Sequence, residues 1–399
     1  MKAITLASIG AVELAERPEP RLERAGDALV RVTTAGICGS DVHVVEGRDR
    51  GVRLGTILGH EFVGVVEELG AGVRGLAVGD RVVAPFTVSC GACFYCRRGL
   101  TARCEQSEGF GFVSDSGRGL QGAQAELVRV PLADSSLLRV PPLAPDGAAV
   151  TDEEVLLLGD VFSTAYSCVE SAGVGPGDTL VVVGCGPVGL LCVVAARWLG
   201  AGAVVAIDSV DYRLDKAAAL GATPIDLGRP ARVGSVGSPL GETDTSLRSP
   251  LGEAHSALRS PLGANITLRR PAALAQTVVA DLTAGRGADA AVEAAGSAAA
   301  LDLAQQLVRP GGVVSIAAYH TDAVYPLPIH AAYLKNLTLR IGRCSARVVM
   351  ERLLPRVLAE RPPLTEIISH VLPLADGPRG YELFRRRRES AIKVLLKPG

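Results

Sequence analysis

Apolar residues recur along this chain with two spacings, and the change between them divides it. Early on the spacing is close to two. Ala28-Leu29-Val30-Arg31-Val32, Phe62-Val63-Gly64-Val65-Val66-Glu67 and Asp80-Arg81-Val82-Val83-Ala84 read as strands, with glycines at 70, 72, 75 and 79 between them. From residue 151 onward, short β-branched runs alternate with stretches of helical spacing. A helix is expected over 151–175, opened by Asp152-Glu153-Glu154, whose charges suit a helix N-terminus. Strands are expected at 180–183, 203–207, 223–227, 290–294, 312–317 and 337–341, and helices at 211–220, 273–283, 297–308 and 346–360. Such alternation predicts a parallel, doubly wound sheet. The chain closes with β-like segments at 367–373 and 391–396.

Thr179–Ala196 is an uncharged apolar run that approaches membrane-span length. Gly184, Gly186, Pro187 and Gly189 interrupt it, so it reads as a buried strand, turn and helix. A different stretch fits neither spacing. Ser238–Arg248, Ser249–Arg259 and Ser260–Arg270 repeat S-P-L-G with a period of eleven. Pro239, Pro250 and Pro261 forbid a regular helix, and the segment 238–270 reads as a low-complexity surface insertion.

Composition narrows the function classes. Across 399 residues, 48% are hydrophobic and 21% charged, which suits a folded chain of two or three domains. A formal net charge of -1 gives no pull towards nucleic acid or an anionic membrane. Arg385–Arg388 is read as a solvated helix end. Nine cysteines with no secretory signal ahead of them predict reduced thiols in a cytoplasmic protein, with metal binding preferred to disulfides.

The cysteines then supply the chemistry. Cys90, Cys93, Cys96 and Cys104 follow C-x2-C-x2-C-x7-C, the donor set of a closed structural zinc site; an iron–sulfur cluster and a two-disulfide loop are the weaker readings. Upstream, Cys38 and His60 offer a thiolate and an imidazole, with Ser40, His43 and Glu61 beside them in sequence. Two ligands are too few for zinc, which takes three protein ligands in a catalytic site and keeps one position open. Asp160 stands in an apolar setting where an acid is uncommon unless paired or metal-bound, yet taken locally a helix cap is the preferred reading. The turn Gly184-x-Gly186-x-x-Gly189, with Pro187 and Val188 inside it, follows one strand and opens a helix. The next strand ends in Asp208, nineteen residues past Gly189, where an acid bonds the ribose hydroxyls of a dinucleotide. An acid there repels a 2′-phosphate, so NAD is expected over NADP.

Four motifs together resemble the zinc-dependent alcohol dehydrogenases of the medium-chain dehydrogenase/reductase family: C-G-S-D-x-H at 38–43, G-H-E-x2-G at 59–64, the four-cysteine lobe and the glycine turn. The resemblance spans nearly the whole chain apart from 238–270. It implies an α/β protein with a GroES-like β-rich catalytic domain at 1–160 and 345–399, and a Rossmann domain at 161–344. It implies two zinc ions per chain, one of them catalytic and held by Cys38, His60 and Asp160, and it overturns the local preference for a cap at Asp160. Many members carry cysteine at that position and some bacterial branches carry aspartate. Cys168, eight residues on, is the alternative ligand and matches no ligand position of the family. The resemblance further implies that an alcohol or polyol passes a hydride to NAD. Ser40 relays the hydroxyl proton through the cofactor ribose to His43, and Glu61 stands behind the metal. Arg213 flanks the adenosine, Phe86 lines the substrate pocket, and the protein is a homodimer or homotetramer. His255, His320, His330 and His370 match no ligand position. A zinc- and dinucleotide-binding redox sensor and a zinc-free enone reductase are the competing readings.

Overall fold

The computed structural model describes residues 1–228 and 269–399. The repeats read at 238–270 lie outside the described residues, except that Arg269 and Arg270 open the helix Arg269–Leu282. His255 lies outside them too.

Two large sheets organise the molecule. The first has seven strands and is mostly antiparallel. Its order runs Ile368–Pro373, Lys393–Lys397, Ala28–Ile37, Phe62–Leu69, Arg81–Val83, Leu138–Arg139, with Leu127–Val130 also paired to Ala28–Ile37. Both chain ends therefore enter one sheet: Val394 pairs with Ile37, and Leu396 with Ala35. The second sheet is parallel and six-stranded, in the order Thr223–Asp226, Ala203–Asp208, Thr179–Val183, Ala288–Glu293, Val308–Ile316, Thr338–Ile341. The order reverses between Thr179–Val183 and Ala288–Glu293, the switch point at which open α/β sheets bind ligands. The architecture is the expected α/β combination of a GroES-like β-rich unit and a Rossmann sheet.

Thr179–Val183 is buried at all five positions because helices cover both faces, which explains its uninterrupted β-branched run. Gly184 then takes φ +98°, and a Cβ there would meet Ala295 at 2.8 Å. A Cβ on Gly189 would lie 1.8 Å from the Gly184 carbonyl oxygen. Glycine is thus required at both positions, and Pro187 takes the first turn of the helix Pro187–Trp198, where its missing N–H costs nothing.

One expectation changes. The helix read over 151–175 is three pieces: Asp152–Leu156, a 3₁₀ turn Leu157–Gly159, and Val161–Ser171. The break falls at Asp160, with φ −148° and ψ −78°, because the periodic apolar positions on either side pack into one core while Asp160 turns out of it. Among the described residues, no helix is long and apolar enough to cross a membrane. Thr179–Ala196 is the strand, turn and helix its interrupting glycines and proline predict.

Candidate active site

The site is assembled from three distant parts of the chain. Cys38 ends the long strand Ala28–Ile37 and precedes the short helix Gly39–Val45. His60 and Glu61 precede the strand Phe62–Leu69, and Asp160 sits at the helix break. One donor atom from each of Cys38, His60, Glu61 and Asp160 lies within 4.8 Å of the others. Cys38 Sγ is 3.4 Å and His60 Nε2 3.2 Å from Asp160 Oδ2, and Ser40 Oγ is 3.2 Å from His60 Nε2.

Asp160 occupies the N-cap position of Val161–Ser171, but its side chain makes no cap hydrogen bond. Instead its Oδ2 faces the cluster, and its Oδ1 accepts from Thr164 at 3.3 Å. Cys168 is buried, with Sγ 3.8 Å from the Ile316 carbonyl oxygen, and is not part of the cluster.

Neighbouring groups hold the donors in place. Asp41 Oδ1 is 3.0 Å from His60 Nδ1, which assigns the Nδ1 proton to that bond and leaves Nε2 for the cluster. The other Asp41 oxygen accepts from the Cys38 backbone N–H at 2.9 Å. Gln124 donates to the Gly36 carbonyl at 2.9 Å and accepts from the Tyr381 hydroxyl at 2.9 Å, closing the layer behind Asp41. Glu61 is fully buried and pairs with the equally buried Lys393, which also donates to the Ile37 carbonyl at 3.1 Å. The room for Glu61 comes from Gly36: a Cβ there would lie 2.1 Å from Glu61 Oε2.

The charge of this pocket tests whether a metal fits. Cys38, Glu61, Asp160 and Asp41 are four acidic groups around one lysine. Burial, then Asp160 and Glu61, push the Cys38 thiol above its ordinary value. Burial alone would depress His60, but Asp41 and Asp160 reverse that and hold it well above the usual imidazole value. Burial likewise raises Glu61, against the pull of Lys393. Beside burial, Asp160 contributes in the same direction to all three shifts, and this crowding of acidic groups is what a divalent cation on a thiolate, an imidazole and a carboxylate offsets. The donor set fits zinc.

The second cysteine cluster is separate. Cys90, Cys93, Cys96 and Cys104 bring their sulfurs within 4.8 Å of one another, all four as free thiols, the arrangement a four-thiolate metal site needs. Backbone N–H groups point at the sulfurs: Cys90 donates to Cys104 Sγ at 3.2 Å, Cys93 to Cys90 Sγ at 3.3 Å and Gln106 to Cys104 Sγ at 3.3 Å. Donors from the Cys96 and Glu105 backbone pull Cys93 down to about 6, while burial and the Cys93 sulfur push Cys96 up to about 12.

On the parallel sheet, Asp208 accepts from the Cys185 backbone N–H at 2.6 Å, which ties the end of Ala203–Asp208 to the glycine turn. Ser209 and Val210 N–H groups donate to its other oxygen at 2.7 and 3.1 Å, and Arg213 stands 4.0 Å away. The space where a Gly186 Cβ would project is open for 4 Å, as close approach of a pyrophosphate requires. Residues Ser209, Val210, Tyr212 and Gly228 line a cleft beside Asp208, at the carboxyl ends of two strands.

Comparison with known proteins follows from these features. Residues 24–142 match the alcohol dehydrogenase GroES-like domain. An uncharacterized zinc-type alcohol dehydrogenase-like protein of Bacillus subtilis is 32% identical over 100% of this chain and 100% of its own length. The chain belongs to the zinc-dependent medium-chain alcohol dehydrogenases. A zinc-type alcohol dehydrogenase of Aspergillus flavus is 34% identical, covering 100% of this chain and 82% of its own. Among solved structures, the alcohol dehydrogenase TADH from Thermus sp. ATN1 superposes with a TM-score of 0.82 at 37% identity, over 100% of this chain and 99% of its own. Membership makes the chain an oxidoreductase of the alcohol dehydrogenase type, which uses zinc and a nicotinamide cofactor.

Reading the sequence alone missed three residues around this alcohol dehydrogenase's donor cluster. Asp41 lay inside the C-G-S-D-x-H motif and was passed over. Lys393 is the only charge within Ala391–Leu396, a visible anomaly in an apolar strand. Tyr319 stacks on His43 with ring centroids 5.8 Å apart and left no local signal.

Proposed function

We propose that this alcohol dehydrogenase holds catalytic zinc on Cys38, His60 and Asp160, with Glu61 behind the metal, and a second zinc on Cys90, Cys93, Cys96 and Cys104. The observation that carries the reading is the convergence of four donors, His60 and Glu61 buried and Cys38 and Asp160 half-buried, on one point beside Ser40. Zinc bound there would act as a Lewis acid on the substrate oxygen and lower the alcohol's pKa. The chain's own groups do the rest. Cys38, His60 and Asp160 present a thiolate, an imidazole and a carboxylate; Asp41 fixes the histidine tautomer. Ser40 Oγ would take the hydroxyl proton at the cluster as it passes its own on towards His43. His43 supplies the terminal base: burial, then Arg48, lower its pKa, so it is neutral and its buried Nδ1, which has no partner among the described residues, is ready to accept. Phe86 forms an apolar wall of the substrate pocket, and a nicotinamide cofactor held at the turn Gly184–Gly189 would supply the acceptor for a hydride from an alcohol or polyol carbon.

Asp208 and the turn Gly184–Gly189 support NAD as the cofactor, since that carboxylate, already bonded to three N–H groups, disfavours a 2′-phosphate. Turnover with NAD and with NADP tests this, and a preference for NADP contradicts it. We assign residues 1–160 and 345–399 to the catalytic domain and 161–344 to the cofactor domain. The protein is proposed to be a cytoplasmic homodimer or homotetramer, which light scattering of the purified protein and localisation of a tagged copy check.

The deciding experiment is metal analysis of Asp160→Ala. One zinc per chain and activity are expected to be lost, while the four-cysteine site keeps its ion. Full activity in this variant, together with its loss in Cys168→Ala, would move the third ligand to Cys168.

A further inference from the structure

We propose that Arg343 is an anion-binding end of the substrate pocket, so that the preferred alcohols carry a carboxylate remote from the reacting hydroxyl. This rests on the dehydrogenase reading above and names its substrate class.

The position comes first. Arg343 follows the edge strand Thr338–Ile341, and its guanidinium carbon lies 5.8 Å from the Phe86 ring centroid. The Phe86 backbone N–H donates to the Gly159 carbonyl at 3.2 Å, one residue before Asp160. Arg343 also interacts electrostatically with Tyr319, the ring stacked on His43. The next residue, Cys344, feels the Asp160 carboxylate. Arg343 thus stands against the Phe86 ring, within electrostatic reach of the Tyr319 ring that stacks on His43.

Its chemistry comes second. A guanidinium carries five N–H donors in a planar fork. Arg343 donates one hydrogen bond, to the Ala102 carbonyl at 2.7 Å. Among the described residues it has no ion pair with a carboxylate, and Arg103, which acts on it electrostatically, is of like sign. Burial and Arg103 lower its pKa, yet an arginine so shifted remains charged near neutral pH. Asp49 accepts from the Tyr319 hydroxyl at 3.4 Å. A cation with open donors beside an apolar wall suits a substrate with an aliphatic middle and an anionic end, because Arg binds carboxylates through paired hydrogen bonds.

The bland reading is a staple. Ser345 accepts from the Ala102 N–H at 3.4 Å, and Arg343 holds the Ala102 carbonyl, so the turn at 342–345 docks the four-cysteine lobe. A staple affects all substrates equally; an anion subsite affects charged ones alone.

The test measures kcat/KM for ω-hydroxycarboxylates of graded chain length against the n-alkanols of the same length, in wild type, Arg343→Ala and Arg343→Lys. Zinc content and thermal melting are followed in each. At the best chain length the wild type is expected to favour the carboxylate by roughly ten- to a hundredfold. Arg343→Ala is expected to abolish that ratio through KM with the alkanol rate retained, and Arg343→Lys to restore part of it. Turnover of alkanols with no charge preference, or a preference that survives Arg343→Ala, overturns the subsite and leaves the dehydrogenase reading standing. Equal losses on both substrates, with the lobe zinc released, show a staple and also overturn it. No turnover of any alcohol overturns both.

Discussion

His43 and Lys393 show how much single residues decide here. His43 keeps a neutral imidazole because burial disfavours its charged form and Arg48 repels a proton. Its folded pKa is therefore lowered, so the base survives as pH falls below the ordinary value of about 6.5 and is lost only at the depressed value. The acid limb of kcat/KM is expected below that ordinary value. His43→Gln should lower kcat by roughly a hundredfold and remove the limb; an unchanged limb in the variant would assign it to a different group. Lys393 is the buried counter-charge of Glu61, both at 0% exposure. Lys393→Met leaves the carboxylate unpaired, and denaturant unfolding should show a loss of about 3–5 kcal/mol. A loss below about 1 kcal/mol would mean that Glu61 is protonated and needs no partner.

The element at which local rules and tertiary demands diverge is the interrupted helix of residues 152–171. Its start obeys local chemistry: Thr151 accepts from the Glu154 N–H at 3.3 Å, and Glu154 reaches back to the Thr151 N–H at 2.8 Å. Asp152 instead joins the helix to the antiparallel sheet. It accepts from the hydroxyls of Thr33 at 2.6 Å and Thr34 at 2.7 Å, and from Arg81 at 2.9 and 2.5 Å. Burial pushes Asp152 up, but those four bonds more than offset it, and its carboxyl sits below the usual range. A depressed carboxylate contributes stability that is present above its unfolded pKa of about 3.9 and is lost as pH falls through the folded value. Asp152→Ala should cost roughly 2 kcal/mol at neutral pH, and variant and wild type should converge in strongly acidic urea melts. A constant gap at every pH would point to lost packing. The first turn was legible in the acidic run, and the break at Asp160 was not, because apolar periodicity continues across it while the reason for the break lies in Cys38 and His60.

At the scale of the whole molecule, the segment 238–270 leaves after the strand Thr223–Asp226 and returns at the helix Arg269–Leu282. Its proline-punctuated repeats carry no candidate ligand of either metal site, and long insertions cost little extra closure entropy. Deleting Ser238–Leu268 should leave zinc content, NAD affinity and turnover nearly unchanged; a large rise in KM for NAD with the fold intact would show that the repeats help to hold the cofactor. The sequence by itself determined the donor chemistry, the two zinc-type motifs, the glycine turn with its acid and the alternation that makes a parallel sheet, because each is written within some tens of neighbouring residues. The tertiary structure alone decided that Asp160 faces Cys38 across 122 residues and that Lys393 meets Glu61 across 332. It alone set Tyr319 on His43 and Arg343 over Phe86. Those contacts depend on the C-terminal strand Lys393–Lys397 pairing with Ala28–Ile37 and on residues of both sheets packing into one core. Local periodicity records which face of a strand is buried, but not which distant strand will bury it.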